Sequence, residues 1–161
     1  LEHRDSTGTH DVIYPGLAQR MSAGSGIRHS EMNASPDEPV HFVQMWVLPD
    51  TAGVQPGYEQ RDRSDELAKG GLVAVASGQG HDGAITIHQR DAVLYAARLS
   101  AGETVVVPAD AHVHVFVALG EGSLDGAGEL GQGDAVRLTD AGPATFTAAA
   151  DGTEILVWAM S

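Results

Sequence analysis

Gly26-Ile27-Arg28-His29-Ser30-Glu31-Met32 sets an imidazole and a carboxylate two positions apart behind a glycine turn. In a β-strand the side chains at i and i+2 share a face, so His29 and Glu31 project together into whatever that strand encloses. An imidazole and a carboxylate are half of a two-histidine-plus-carboxylate set with open positions. That donor chemistry suits a first-row divalent metal, iron above all. The same spacing also occurs on half-exposed strands with no metal, so the missing ligands decide what the pair can do.

Outward from this stretch, short runs rich in valine, isoleucine and aromatics alternate with glycine, proline and aspartate at the spacing of sandwiches and barrels. The periodicity predicts strands at 11–14, 27–32, 40–48, 72–76, 85–88, 93–99, 104–107, 112–119, 135–138, 144–149 and 155–160. Tight turns fall at Asp5-Ser6-Thr7-Gly8, Asp82-Gly83, Asp125-Gly126 and Asp151-Gly152, where glycine takes positive φ without steric cost. One short helical turn is expected near 64–68 with Ser64 as its cap.

The chain has 161 residues with 42% hydrophobic content, enough for a real core. Its formal charge of -13, from 22 acidic against 9 basic residues, repels a phosphate backbone and argues against direct nucleic-acid binding. There is no cysteine, hence no disulfide framework and no thiolate ligand. No apolar run approaches the length of a membrane span, and a cytoplasmic location is the expectation. The glycines at 24 and 26 precede no helical pattern, so they do not form a nucleotide loop. No nucleophile elbow is present.

Read in order, Glu2-His3-Arg4-Asp5-Ser6, Gly8, Pro15-Gly16, Gln19, Met21, Ala23-Gly24, Gly26-Ile27, His29-Ser30-Glu31-Met32, Pro39-Val40-His41 and Gln44-Met45-Trp46-Val47 resemble the pirins, a family of two-barrel cupin proteins. The likeness continues through Asp82 to Gln89, Leu94-Tyr95 and Ser100 to Glu103, covering nearly the whole chain. The resemblance implies an all-β fold of cupin (jelly-roll) barrels, a bicupin whose first barrel is incomplete. Residues 1–50 would form the C-terminal part of the first, metal-binding barrel, 51–71 a connector, and 72–161 a second barrel without metal. Departures from the family pattern are Thr9, Asp11, Leu17 and Arg20. Arg20 stands where the family favours tryptophan and would alter the polarity of the pocket wall.

The family's metal site implies His29 and Glu31 as ligands of iron(II), completed by a His-x-His pair expected N-terminal to Leu1, with Glu31 also the catalytic base. It implies a quercetin 2,3-dioxygenase-like oxygenase acting on a flavonol-like substrate with dioxygen. The alternative is a non-catalytic metal- or redox-responsive interaction protein or transcription co-regulator, and a third reading is a metal-poor remnant that keeps only the fold. A homo-oligomer or a retained N-terminal fragment is expected as partner. His112 and His114 share a face by the same spacing, but no later histidine completes a site. His3 and His10 read as groups behind the site or on the surface, with a substitute metal ligand as the alternative given their closeness to it in sequence. His41 and His88 read as hydrogen-bonded strand residues, and His81 as solvated.

Overall fold

The computed structural model describes all 161 residues, as fifteen strands and one short helix. Two small antiparallel sheets come first. β1 (Glu2–Asp5) lies between β2 (His10–Val12) and β4 (His29–Met32), while β3 (Leu17–Ser22) pairs with β5 (Gly57–Asp62) in a separate ribbon. After the single turn of α1 (Ser64–Leu67), the remaining strands build one barrel of two sheets.

The larger sheet of that barrel contains β6 (Val73–Ser77), β7 (Ile85–Thr86), β8 (Ala92–Leu99), β10 (His112–Leu119), β13 (Ala135–Thr139) and β15 (Thr153–Met160), in the order β13-β10-β15-β8-β6-β7. Facing it are β9 (Thr104–Val107), β11 (Glu121–Leu124), β12 (Gly128–Gly131) and β14 (Ala144–Ala148), in the order β12-β11-β14-β9. β15 shows why both faces are used. Ile155 and Val157 enter the core between the sheets with Phe146, Val115, Val117, Leu99 and Leu124, and the intervening Leu156 and Trp158 turn outward. There they pack on a second cluster of Leu67, Val75, Ala76, Ile85, Leu94 and Ala96, which also receives Ala18 of β3. The outer face of the second barrel is therefore the floor on which α1 and the β3–β5 ribbon rest.

Three expectations change. Residues 40–48 alternate like a strand but form none, because no other segment of the chain lies beside them to complete a ladder. This extended segment exposes Phe42, Met45, Trp46 and Leu48, with Trp46 92% exposed. It is tied to the second barrel by the Trp158 indole N–H on the Met45 sulfur at 3.3 Å and by Gln89 Nε2 donating to the Leu48 carbonyl at 3.4 Å. Just beyond its end, the Asp50 N–H on the His88 carbonyl and an Asp50–Arg90 ion pair at 2.9 Å add two more ties. Within 51–71, β5 belongs to the ribbon and is not a simple connector. At α1 the N-cap position is Arg63, and Ser64 donates its backbone N–H to Asp62 Oδ1 at 2.8 Å, so the Asp62 side chain satisfies the helix start.

Candidate metal centre

β4 places His29 and Glu31 on one face, and its register against β1 sets Glu31 opposite His3 and His29 opposite Asp5. β2 adds Asp11 opposite His3. Five ionisable side chains thus occupy one face of a three-stranded sheet. The β3–β5 ribbon lies over them, with Gln19 opposite Gln60 and Met21 opposite Tyr58. Gln19 Nε2 donates to Glu31 Oε1 at 3.0 Å. The Tyr58 hydroxyl lies 3.1 Å from both Gln19 Oε1 and Gln60 Oε1, two acceptors for its one proton.

His3 sits at the centre, with 0% exposure. Its Nδ1 is 3.4 Å from Glu31 Oε1 and its Nε2 is 3.3 Å from Asp5 Oδ2. The Tyr58 ring lies 5.0 Å from the His3 ring, and the His29 ring stacks on it at 5.9 Å and 22°. Asp5 is held by the turn that follows β1: its Oδ1 accepts from the Thr7 hydroxyl at 2.6 Å and from the N–H groups of Thr7 and Thr9. The Thr7 hydroxyl, followed by the Thr9 N–H and His3, holds the Asp5 carboxyl well below the usual carboxylate range despite its burial. Burial, followed by the charges of Asp11, Asp5 and Glu31, pushes the Tyr58 phenol up to about 12, so it stays a neutral donor.

The donor set fits a divalent metal with open positions. Glu31 is largely buried, its side chain 15% exposed, and it accepts its hydrogen bonds on Oε1, leaving Oε2 unbonded; His29 keeps an exposed edge. No group of three or more histidine, aspartate or glutamate side chains converges on a metal-sized point. From this chain the centre therefore has two ligand candidates.

His3 was legible only as a neighbour of the site. Its central place depends on the β1–β4 register, which a single strand does not reveal. Tyr58 and Gln60 were missed because Gly57–Asp62 lacks apolar alternation and becomes a strand by pairing with β3. Arg20 turns away from this face, donating to Ser22 Oγ at 2.8 Å and to Glu59 Oε2 at 3.2 Å, so it does not line the site.

The other histidines lie elsewhere. His112 and His114 share a face of β10, opposite Thr139 and Arg137, and line a shallow cleft with Met160. His41 and His88 are exposed and belong to no strand. His81 is half-buried, its Nδ1 2.8 Å from Ser77 Oγ and its Nε2 3.4 Å from the Tyr95 hydroxyl. Expected to be solvated, it is instead built into the mouth of the second barrel. His10 lies on the surface, bonded to Glu2 at 2.6 Å.

The pirin family profile matches residues 1–47, and the profile of the quercetinase C-terminal cupin domain matches 74–160. A Mycobacterium tuberculosis protein, named provisionally as a quercetin 2,3-dioxygenase, is 55% identical over 161 residues, covering 99% of this chain and 66% of its own length. The quercetin 2,3-dioxygenase of Escherichia coli K12 is 39% identical over 128 residues, 78% of this chain and 54% of that protein. The crystal structure of the bacterial pirin YhhW from Escherichia coli in complex with nickel(II) matches at 32% identity with a TM-score of 0.85, covering 99% of this chain and 67% of that one. The chain thus spans between about half and two thirds of the length of these relatives.

Proposed function

Because the chain belongs to the pirin family, we propose that it serves a metal-dependent oxygenase of the quercetin 2,3-dioxygenase type, with His29 and Glu31 as metal ligands and iron(II) as the resident metal. The observation that carries this reading is the shared face of His29 and Glu31, with Glu31 held on one oxygen by Gln19 and beside His3 while its other oxygen is free. Further ligands come from outside these two side chains. When bound, such a metal lowers the pKa of a coordinated flavonol hydroxyl and supports chemistry with dioxygen.

The chain's own residues have narrower tasks. Glu31 accepts the substrate's hydroxyl proton on a carboxylate oxygen. Gln19, itself engaged by the neutral Tyr58 hydroxyl, keeps that carboxylate from rotating. The Tyr58 and His3 rings close the inner side of the site against water. Oxygen uptake with quercetin in the iron(II)-loaded protein tests the reading. Glu31→Gln is expected to lower the rate by about 10²–10⁴-fold, and His29→Ala to lower it together with bound iron. Undiminished uptake in both variants would sink the assignment.

The exposed apolar run Phe42, Met45, Trp46 and Leu48 favours a second reading, a metal-responsive module that docks a protein partner. Oxygen-dependent quercetin turnover separates the two.

A further inference from the structure

Of all the histidines, His3 alone is wholly withdrawn from solvent, and both of its ring nitrogens face carboxylates. With each nitrogen turned to a carboxylate and the ring wholly buried, neither nitrogen faces an open position, and the ring serves as a partner of Glu31 and not as a ligand. Nor is it apolar filling. A buried imidazole needs partners for both nitrogens, and this one finds them in Asp5 on one side and Glu31 on the other. Asp5 is the fixed end of this chain of contacts, since the turn Asp5–Thr9 saturates its Oδ1 and leaves Oδ2 to His3. Tyr58 and His29 flank the ring and limit its rotation.

We infer that His3 is the positioning residue for Glu31: anchored by Asp5, it holds the carboxylate by Oε1 so that Oε2 remains free for a metal. This rests on the reading of Glu31 as a ligand. A side chain that orients a metal ligand in this way acts through that ligand, and its loss weakens metal binding without removing a bond to the metal.

The test compares nickel(II) affinity, by calorimetric titration of the whole protein, in His3→Gln, Asp5→Asn and the double variant. His3→Gln is expected to weaken binding by about 10- to 100-fold. Asp5→Asn, which does not touch Glu31, is expected to weaken it comparably, and the double variant to be no weaker than His3→Gln alone, because both act along one path. A purely structural role would lower the melting temperature and leave the affinity intact. A crystal structure of metal-free His3→Gln decides without any metal: a displaced Glu31 carboxylate supports the inference, and an unmoved one overturns it. If His3→Gln does not fold, Asp5→Asn carries both readouts. Wild-type nickel affinity in His3→Gln and Asp5→Asn, with binding lost in His29→Ala and Glu31→Gln, overturns the role of His3 and leaves the metal site standing. Binding unaffected by His29→Ala and Glu31→Gln overturns the site and the inference together.

Discussion

Asp5 and Tyr58 are the two groups of the site whose hold on a proton the fold displaces, in opposite directions. The folded Asp5 binds its proton more weakly than an unfolded aspartate does, near 3.8. Its contribution to stability is therefore complete above that value and is lost as pH falls below it. Thermal melts taken between about pH 5 and pH 2 should show wild type losing more stability than Asp5→Asn. Equal losses would mean that the turn around Asp5 does not grip its carboxylate. Tyr58 runs the other way. Its proton is held more tightly in the folded state, so stability is intact below the ordinary tyrosine value of 10.0 and declines as pH rises toward about 12. Phenolate absorbance should show a late-titrating tyrosine that disappears in Tyr58→Phe. Of these two, Asp5 could be read in the sequence as a turn residue, because Asp-Ser-Thr-Gly is a local signal. Tyr58 could not, since Gln19 and His3, which set it into the site, come from β3 and β1, far from it along the chain.

The β3–β5 ribbon depends on a close approach that one residue permits. Gly24 has φ of +54°, and a Cβ there would collide with the Val54 carbonyl and crowd the Gln55–Pro56 backbone. Gly24→Ala should destabilise the protein by at least about 1 kcal/mol. Because the same loop leads from β3 into β4, it should also weaken nickel binding at Glu31. Stability measured by denaturant, with nickel titration beside it, checks both effects. The ribbon also shows where strand periodicity fails as a guide. Residues 40–48 carry the cleaner apolar alternation and stay unpaired, whereas the polar Gly57–Asp62 forms a full ladder with Leu17–Ser22. Alternation reports which face a strand can bury. Whether a strand exists depends on a neighbour whose backbone groups are free, and a linear pattern does not name that neighbour. Most of the second barrel was legible because its strands are apolar runs bounded by turn residues, although pairs such as β10 with β15 and β8 with β15 join segments far apart in the chain. The glycine-rich β11 and β12 were not legible.

The molecule separates a core that holds the fold from a polar face that bears the candidate metal centre. Phe146 is fully buried between the two sheets of the second barrel, on the side of the larger sheet away from Ala18 and α1. Phe146→Ala should cost about 3–5 kcal/mol in denaturant unfolding, while the folded fraction binds nickel as wild type does. Reduced affinity in that fraction would show that the two parts are coupled. The extended segment above the barrel adds a property of a different kind. The chain has two tryptophans, one fully bathed in water at Trp46 and the other, Trp158, with its indole N–H on the Met45 sulfur. Excited by ultraviolet light, Trp46 emits as a hydrated indole at the red end of the tryptophan range, so the protein carries its own fluorophore on this segment. Anything that covers residues 40–48 will turn that emission toward the blue, and iodide in the buffer will stop quenching it.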